Sequence, residues 1–137
     1  MKRRHVVYLA YGSNLGDKEE NIMQAYQLTE HSVGRIVRRS SLMHSEPWGF
    51  ESDNAFVNSV VCVETTLSPR ELLSATQKIE RTMGRTHKSV NREYHDRIID
   101  IDILLYDDIK LDEPDLVIPH PLMQEREFVM KPLKEIL

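Results

Sequence analysis

At 137 residues, 40% of them hydrophobic and 29% charged, the chain fits one ordinary domain with a real core and is too apolar for disorder. Its formal net charge of −4 gives no general attraction to nucleic acid or to an anionic membrane. A lone cysteine, Cys62, excludes an internal disulfide framework, and neither a leading signal pattern nor a long apolar span is visible. A cytoplasmic protein that binds neither nucleic acid nor membrane is expected.

Residues 5–11 form a compact apolar run that reads as a buried strand. It leads into Gly12-Ser13-Asn14-Leu15-Gly16-Asp17, a turn rich in small residues. The turn lacks the Lys-Ser/Thr ending of a phosphate loop, so a plain strand-to-helix connection is the stronger reading. Asp17, with Glu20 three residues on, marks a helix start, and Ile22, Ala25, Tyr26 and Thr29 then share one helical face. Gly34 breaks the chain ahead of a poorly alternating strand over 35–43. Residues 44–54 lack periodicity and include Pro47, Trp48 and Gly49, which predicts a loop. The clearest strand spans 55–65. Within it Asn58 shares a face with Phe56 and Val60. An amide beside an aromatic ring suits a flat heterocycle; a satisfied structural amide is the plainer alternative.

Ser68-Pro69-Arg70-Glu71 is the strongest helix start, with Ser at the N-cap, Pro next and Glu at the third position. Leu72, Thr76, Ile79 and Met83 give its core stripe, and Gly84 supplies a stop. Gln77 and Glu80 project together from a neighbouring stripe. The helix delivers the chain into residues 81–97, where five basic residues face two acids and the histidines His87 and His95. Residues 99–116 then carry seven acids against the single Lys110. At the junction lies Arg97-Ile98-Ile99-Asp100-Ile101-Asp102-Ile103, whose alternation reads as a half-buried strand. Asp100 and Asp102 leave the same face. Adjacent carboxylates repel unless a cation sits between them, and hard oxygen ligands suit Mg²⁺ bound together with phosphates.

Residues 107–117 read as acidic turns and irregular chain, and Pro119-His120-Pro121 restricts the backbone around one histidine. Residues 123–128 and 129–137 read as short helical ends. The order strand, helix, two strands, helix, strand predicts an α+β, ferredoxin-like β-α-β-β-α-β fold. Its antiparallel sheet would carry helices mainly on one face, in a single domain over residues 1–137.

Taken together, several stretches resemble the 6-hydroxymethyl-7,8-dihydropterin pyrophosphokinases of the folate pathway. They are Gly12-Ser13-Asn14-Leu15-Gly16, Phe56-Val57-Asn58, Gln77-Lys78-Ile79-Glu80 with Gly84-Arg85, the Asp100–Asp102 strand, Pro119-His120-Pro121, and Phe128-Val129 with Pro132-Leu133. The resemblance implies transfer of the diphosphate of ATP to the hydroxymethyl oxygen of the dihydropterin, releasing AMP. It implies two Mg²⁺ ions on Asp100 and Asp102, with Arg85 and Arg97 completing the catalytic set. ATP would be lined by Gln77, Glu80, Tyr94, Arg97, Ile103, His120 and Arg126, with Glu80 toward adenine or ribose. The pterin would lie between Phe56 and Phe128, paired with Asn58 and closed by Ser45, Pro47 and Trp48. The partners implied are these small molecules alone, and a monomer is expected.

The chain departs from the family pattern at Tyr94-His95-Asp96, which replaces the usual Trp-Gly-Pro, and at Phe56, where a tyrosine is common. His87 replaces the second basic residue of a Gly-Arg-x-Arg pattern. A catalytically degenerate paralogue and a metal-dependent nucleotidyl transferase using the Asp pair are the competing readings. A non-catalytic RNA- or protein-binding module is a third, disfavoured because the strands offer a carboxylate pair where RNA-binding sheets display aromatics among basic residues.

Overall fold

The computed structural model describes residues 3–45, 55–84 and 98–137. Strand β1 (His5–Ser13) is followed by helix α1 (Lys18–Ser32), whose N-cap Asp17 accepts the Glu20 amide at 3.2 Å. The face carrying Ile22, Ala25, Tyr26 and Thr29 is buried as its spacing predicts. Next come β2 (Gly34–Arg39), β3 (Met43–Ser45) and β4 (Phe56–Thr65). The one strand expected over 35–43 is thus two. Ser40 marks the break: its hydroxyl oxygen accepts the Val60 amide and its own amide donates to the Val60 carbonyl, each at 2.9 Å. His44 and Ser45, expected to open a loop, instead pair with Val57 and Phe56.

Helix α2 (Pro69–Thr82) starts in a full capping box, with Ser68 and Glu71 each accepting the other's amide. Leu72, Thr76, Ile79 and Met83 are buried along it. Strand β5 (Asp100–Tyr106) follows, and then a two-stranded hairpin of β6 (Leu111–Glu113) and β7 (Leu116–Ile118). That hairpin replaces the irregular chain expected over 107–117. A 3-10 turn (Met123–Glu125) and helix α3 (Glu127–Ile136) end the chain.

The main sheet is antiparallel in the order β2-β4-β1-β5, with β2 and β3 sharing the outer edge of β4. Gly34 lets β2 approach closely, since a Cβ there would lie 2.0 Å from the Glu64 carbonyl oxygen. Helices α1 and α2 pack on one face, over Val7, Leu9, Tyr11, Val57, Val61, Val63, Ile101 and Ile103. Helix α3 packs on the other, over Ala10, Val60, Cys62 and Leu104. The expectation of helices mainly on one face therefore holds for two of the three. The cause is legible in β4, where Val57, Val61 and Val63 alternate with Val60 and Cys62, so that both faces are apolar and both need a cover.

Candidate active site

Three strands align the polar residues of the α3 side. Asn58 on β4, Gly12 on β1 and Asp100 on β5 form one lateral row, and Val60, Ala10 and Asp102 form the next. Residues directly opposed in antiparallel strands project from the same face, so the amide and both carboxylates share it. Two strand spacings of about 4.8 Å put the Asn58 and Asp100 backbones roughly 10 Å apart. Gly12 between them has no side chain to fill the gap. A Cβ there would lie 3.1 Å from Asn58 Oδ1 and 3.5 Å from Phe56 Cδ1, so amide and ring both rest over the bare β1 backbone. Asn58 is buried while Phe56 stays half-exposed.

The other wall comes from the chain after β7. The His120 amide donates to the Leu104 carbonyl at 3.0 Å and fastens this segment to the open edge of β5. His120 Nδ1 accepts the Leu122 amide at 3.3 Å, which assigns the proton of the neutral ring to Nε2. That Nε2 faces Asp102 at 3.9 Å. Burial lowers the His120 pKa, Arg126 lowers it further, and the Asp100 carboxylate opposes them, so the ring is a neutral N–H donor at pH 7. Arg126, at the start of α3, sets Nη1 4.0 Å from the other Asp102 oxygen and its guanidinium 5.8 Å from the centre of the Phe128 ring. Both approaches to Asp102 exceed hydrogen-bond length. One carboxylate thus has an imidazole N–H and a guanidinium gathered about it, one near each oxygen.

The two helix residues expected here behave differently. Glu80 is buried, and its Oε2 accepts the Ile101 amide at 2.8 Å. Gln77, one turn earlier, is exposed. Ile103 points its side chain into the core beneath α1 and α2, on the face away from the aspartates. Its main chain is the part turned to the edge, by the same alternation that turns out Ile101. Ser45 is placed by its backbone pairing with Phe56. Pro47, Trp48, Arg85, Tyr94 and Arg97 lie outside the described residues.

Among the described residues no group of three or more His, Cys, Asp or Glu side chains is gathered as a metal cage. Asp100 and Asp102, two hard oxygen donors on one face, fit the mode in which Mg²⁺ takes one or two carboxylates and completes its shell with phosphate oxygens and water. The contributor that the sequence concealed is Gly12. It reads there as the first residue of a turn, yet it lies inside β1, between Asn58 and Asp100. A glycine within a strand is the available signal of a close approach.

The family model described as 7,8-dihydro-6-hydroxymethylpterin-pyrophosphokinase matches residues 8–137. A 2-amino-4-hydroxy-6-hydroxymethyldihydropteridine pyrophosphokinase from Porphyromonas gingivalis is 46% identical over 132 residues, covering 96% of this chain and 90% of that protein. The protein of the same name from Bacillus subtilis is 39% identical, over 96% of this chain and 78% of its own. In solved structures, an HPPK-DHPS in complex with substrates superposes with a TM-score of 0.74 at 17% identity, over 98% of this chain. This chain spans 40% of that longer one, and the likeness is one of fold.

Proposed function

The chain belongs to the 7,8-dihydro-6-hydroxymethylpterin-pyrophosphokinase family, and on that premise we propose that it transfers the diphosphate of ATP to 6-hydroxymethyl-7,8-dihydropterin, giving the pterin diphosphate and AMP in folate synthesis. The observation that carries this reading is the shared face. Asn58 and Phe56 stand at one end of a three-strand row and Asp100 at the other, while His120 and Arg126 converge on Asp102.

In the reaction, the hydroxymethyl oxygen bonds to the β-phosphorus of ATP. The bond from that phosphorus to the α,β-bridging oxygen breaks, AMP leaves, and the alcohol's proton is released. Such a transfer needs alignment and neutralised charge more than a covalent nucleophile. Asp100 and Asp102 would hold Mg²⁺, two ions in this reading, which when bound neutralises phosphate charge. Arg126 adds a fixed positive charge and His120 an Nε2–H donor to phosphate oxygens. The pterin lies between Phe56 and Phe128, with its polar edge on the Asn58 amide. Arg85, Arg97 and Tyr94 on the ATP side, and Ser45, Pro47 and Trp48 on the pterin side, complete the proposed site. The order β2-β4-β1-β5, with α1 and α2 on one face, supports a ferredoxin-like frame. We place the reaction in the cytoplasm, carried out by a single-domain monomer; no described helix is long and apolar enough to cross a membrane.

The test is product analysis after mixing the protein with Mg-ATP and 6-hydroxymethyl-7,8-dihydropterin. AMP and a pterin diphosphate are expected in equal amounts. ADP with a pterin monophosphate would overturn the proposal.

A further inference from the structure

Among the described residues strand β5 ends the sheet, so one of its edges has no neighbouring strand there to satisfy it. Its inner edge is held by β1, through the pairs Gly12 with Asp100 and Ala10 with Asp102. Alternation then turns the Ile101 amide outward, in the middle of the pair of aspartates. Glu80 takes that amide at 2.8 Å, from a helix on the opposite side of the sheet to the two carboxylates. Glu80 is only 9% exposed, and a carboxylate so buried is costly unless it is hydrogen-bonded. The bond fixes the plane of the peptide that joins Asp100 to Ile101. Rotation of that plane would swing the Asp100 side chain away from Asp102, which is the direction their mutual repulsion favours.

We propose that Glu80 is a positioning residue for divalent-cation binding: it acts through the Ile101 amide to keep Asp100 and Asp102 aimed at one place. This rests on the pterin pyrophosphokinase reading and changes one part of it, since Glu80 then serves the cation through the strand and not the adenine or ribose directly. The conservative variant separates the two roles. Glu80→Gln keeps an oxygen to accept the amide and loses the charge. Glu80→Met keeps the length and helix propensity and loses the acceptor.

Three readouts test this on the full chain. The first is hydrogen exchange of the Ile101 amide without metal. The second is Mn²⁺ binding, followed by electron paramagnetic resonance in the presence of a non-hydrolysable ATP analogue. The third is AMP formation against Mg²⁺ concentration. Glu80→Met should exchange Ile101 faster and weaken Mn²⁺ binding about tenfold, the lower end of what loss of an outer-shell partner does. Its Mg²⁺ requirement should rise in step. Glu80→Gln should stay within about threefold of the parent in all three, because the acceptor survives. If Glu80→Met does not fold, Glu80→Asp makes the same comparison, keeping the charge but shortening the reach. Unchanged Mn²⁺ binding in a variant with a faster-exchanging Ile101 would overturn the proposal. So would equal damage in Glu80→Gln and Glu80→Met. If the parent protein makes no AMP, the functional reading fails, while the exchange and Mn²⁺ measurements still judge the role of Glu80.

Discussion

A missing methyl group shapes the acceptor end of the site. The Asn58 amide and the Phe56 ring occupy the space above Gly12 that a Cβ would claim. At 3.1 Å from Asn58 Oδ1, an added methyl requires the amide to shift by a few tenths of an ångström. Gly12→Ala should therefore raise KM for the pterin about fivefold, equivalent to about 1 kcal/mol of binding. KM for ATP should move less, since the side-chain atoms an added methyl would meet belong to Asn58 and Phe56. Steady-state kinetics with each substrate varied in turn checks this, and an unchanged pterin KM would show that the amide has room to give. Asn58 itself was visible in the sequence, because a polar amide among valines needs a reason. Gly12 was not: the same residue starts a turn or sits inside a strand depending on where pairing stops, and pairing depends on distant residues.

At the scale of elements, α3 is tied to the β2–β3 connection by one carboxylate. Glu135 accepts the Ser41 amide at 3.0 Å and the Ser41 hydroxyl at 2.9 and 2.8 Å. The Ser41 amide, and then its hydroxyl, hold the Glu135 carboxyl below its ordinary 4.5. A depressed carboxyl adds stability that is present above the unfolded-state pKa and is lost as pH falls through the folded-state value. The parent should therefore melt above Glu135→Gln at neutral pH, with the gap narrowing as pH drops from about 5 to about 3. Thermal melts across that range are the measurement. The elements themselves were unevenly legible. Long ones with a 3.6-residue stripe or a capping signal, α1 and α2, followed from the residues alone. β3, β6 and β7 have three residues each, too few for alternation to show, and their existence depends on the partner strand.

For the whole molecule, the decisive fact is that the sheet keeps its two faces for different purposes. The α1–α2 side holds the larger core, and the α3 side holds the aspartates, the amide and the aromatic rings. Two substitutions should separate these purposes. Ile22→Ala, at a fully buried position on α1, should cost roughly 2–5 kcal/mol of stability and leave both KM values unchanged in the fraction that stays folded. Asp102→Asn should abolish turnover while the protein stays folded, because it removes a carboxylate proposed to hold the cation and leaves the α1–α2 core untouched. Melting curves paired with kinetics read both. The antiparallel frame and the pair of aspartates came through from the sequence, since each is written in a short local pattern. The covering of both faces was present there too, in the doubly apolar β4, but only the packing of α3 shows which helix does it.

This division says where the chain is free to drift. Apolar side chains under α1 and α2 need only suitable size and shape, so many combinations fill that side equally well. A likeness of fold at 17% identity is what such tolerance would leave behind. The same tolerance makes the α1 side the place to engineer. Cavity-filling and helix-strengthening changes on α1 would accumulate into a hardier protein, so long as Glu80 on α2 keeps its hold on the Ile101 amide.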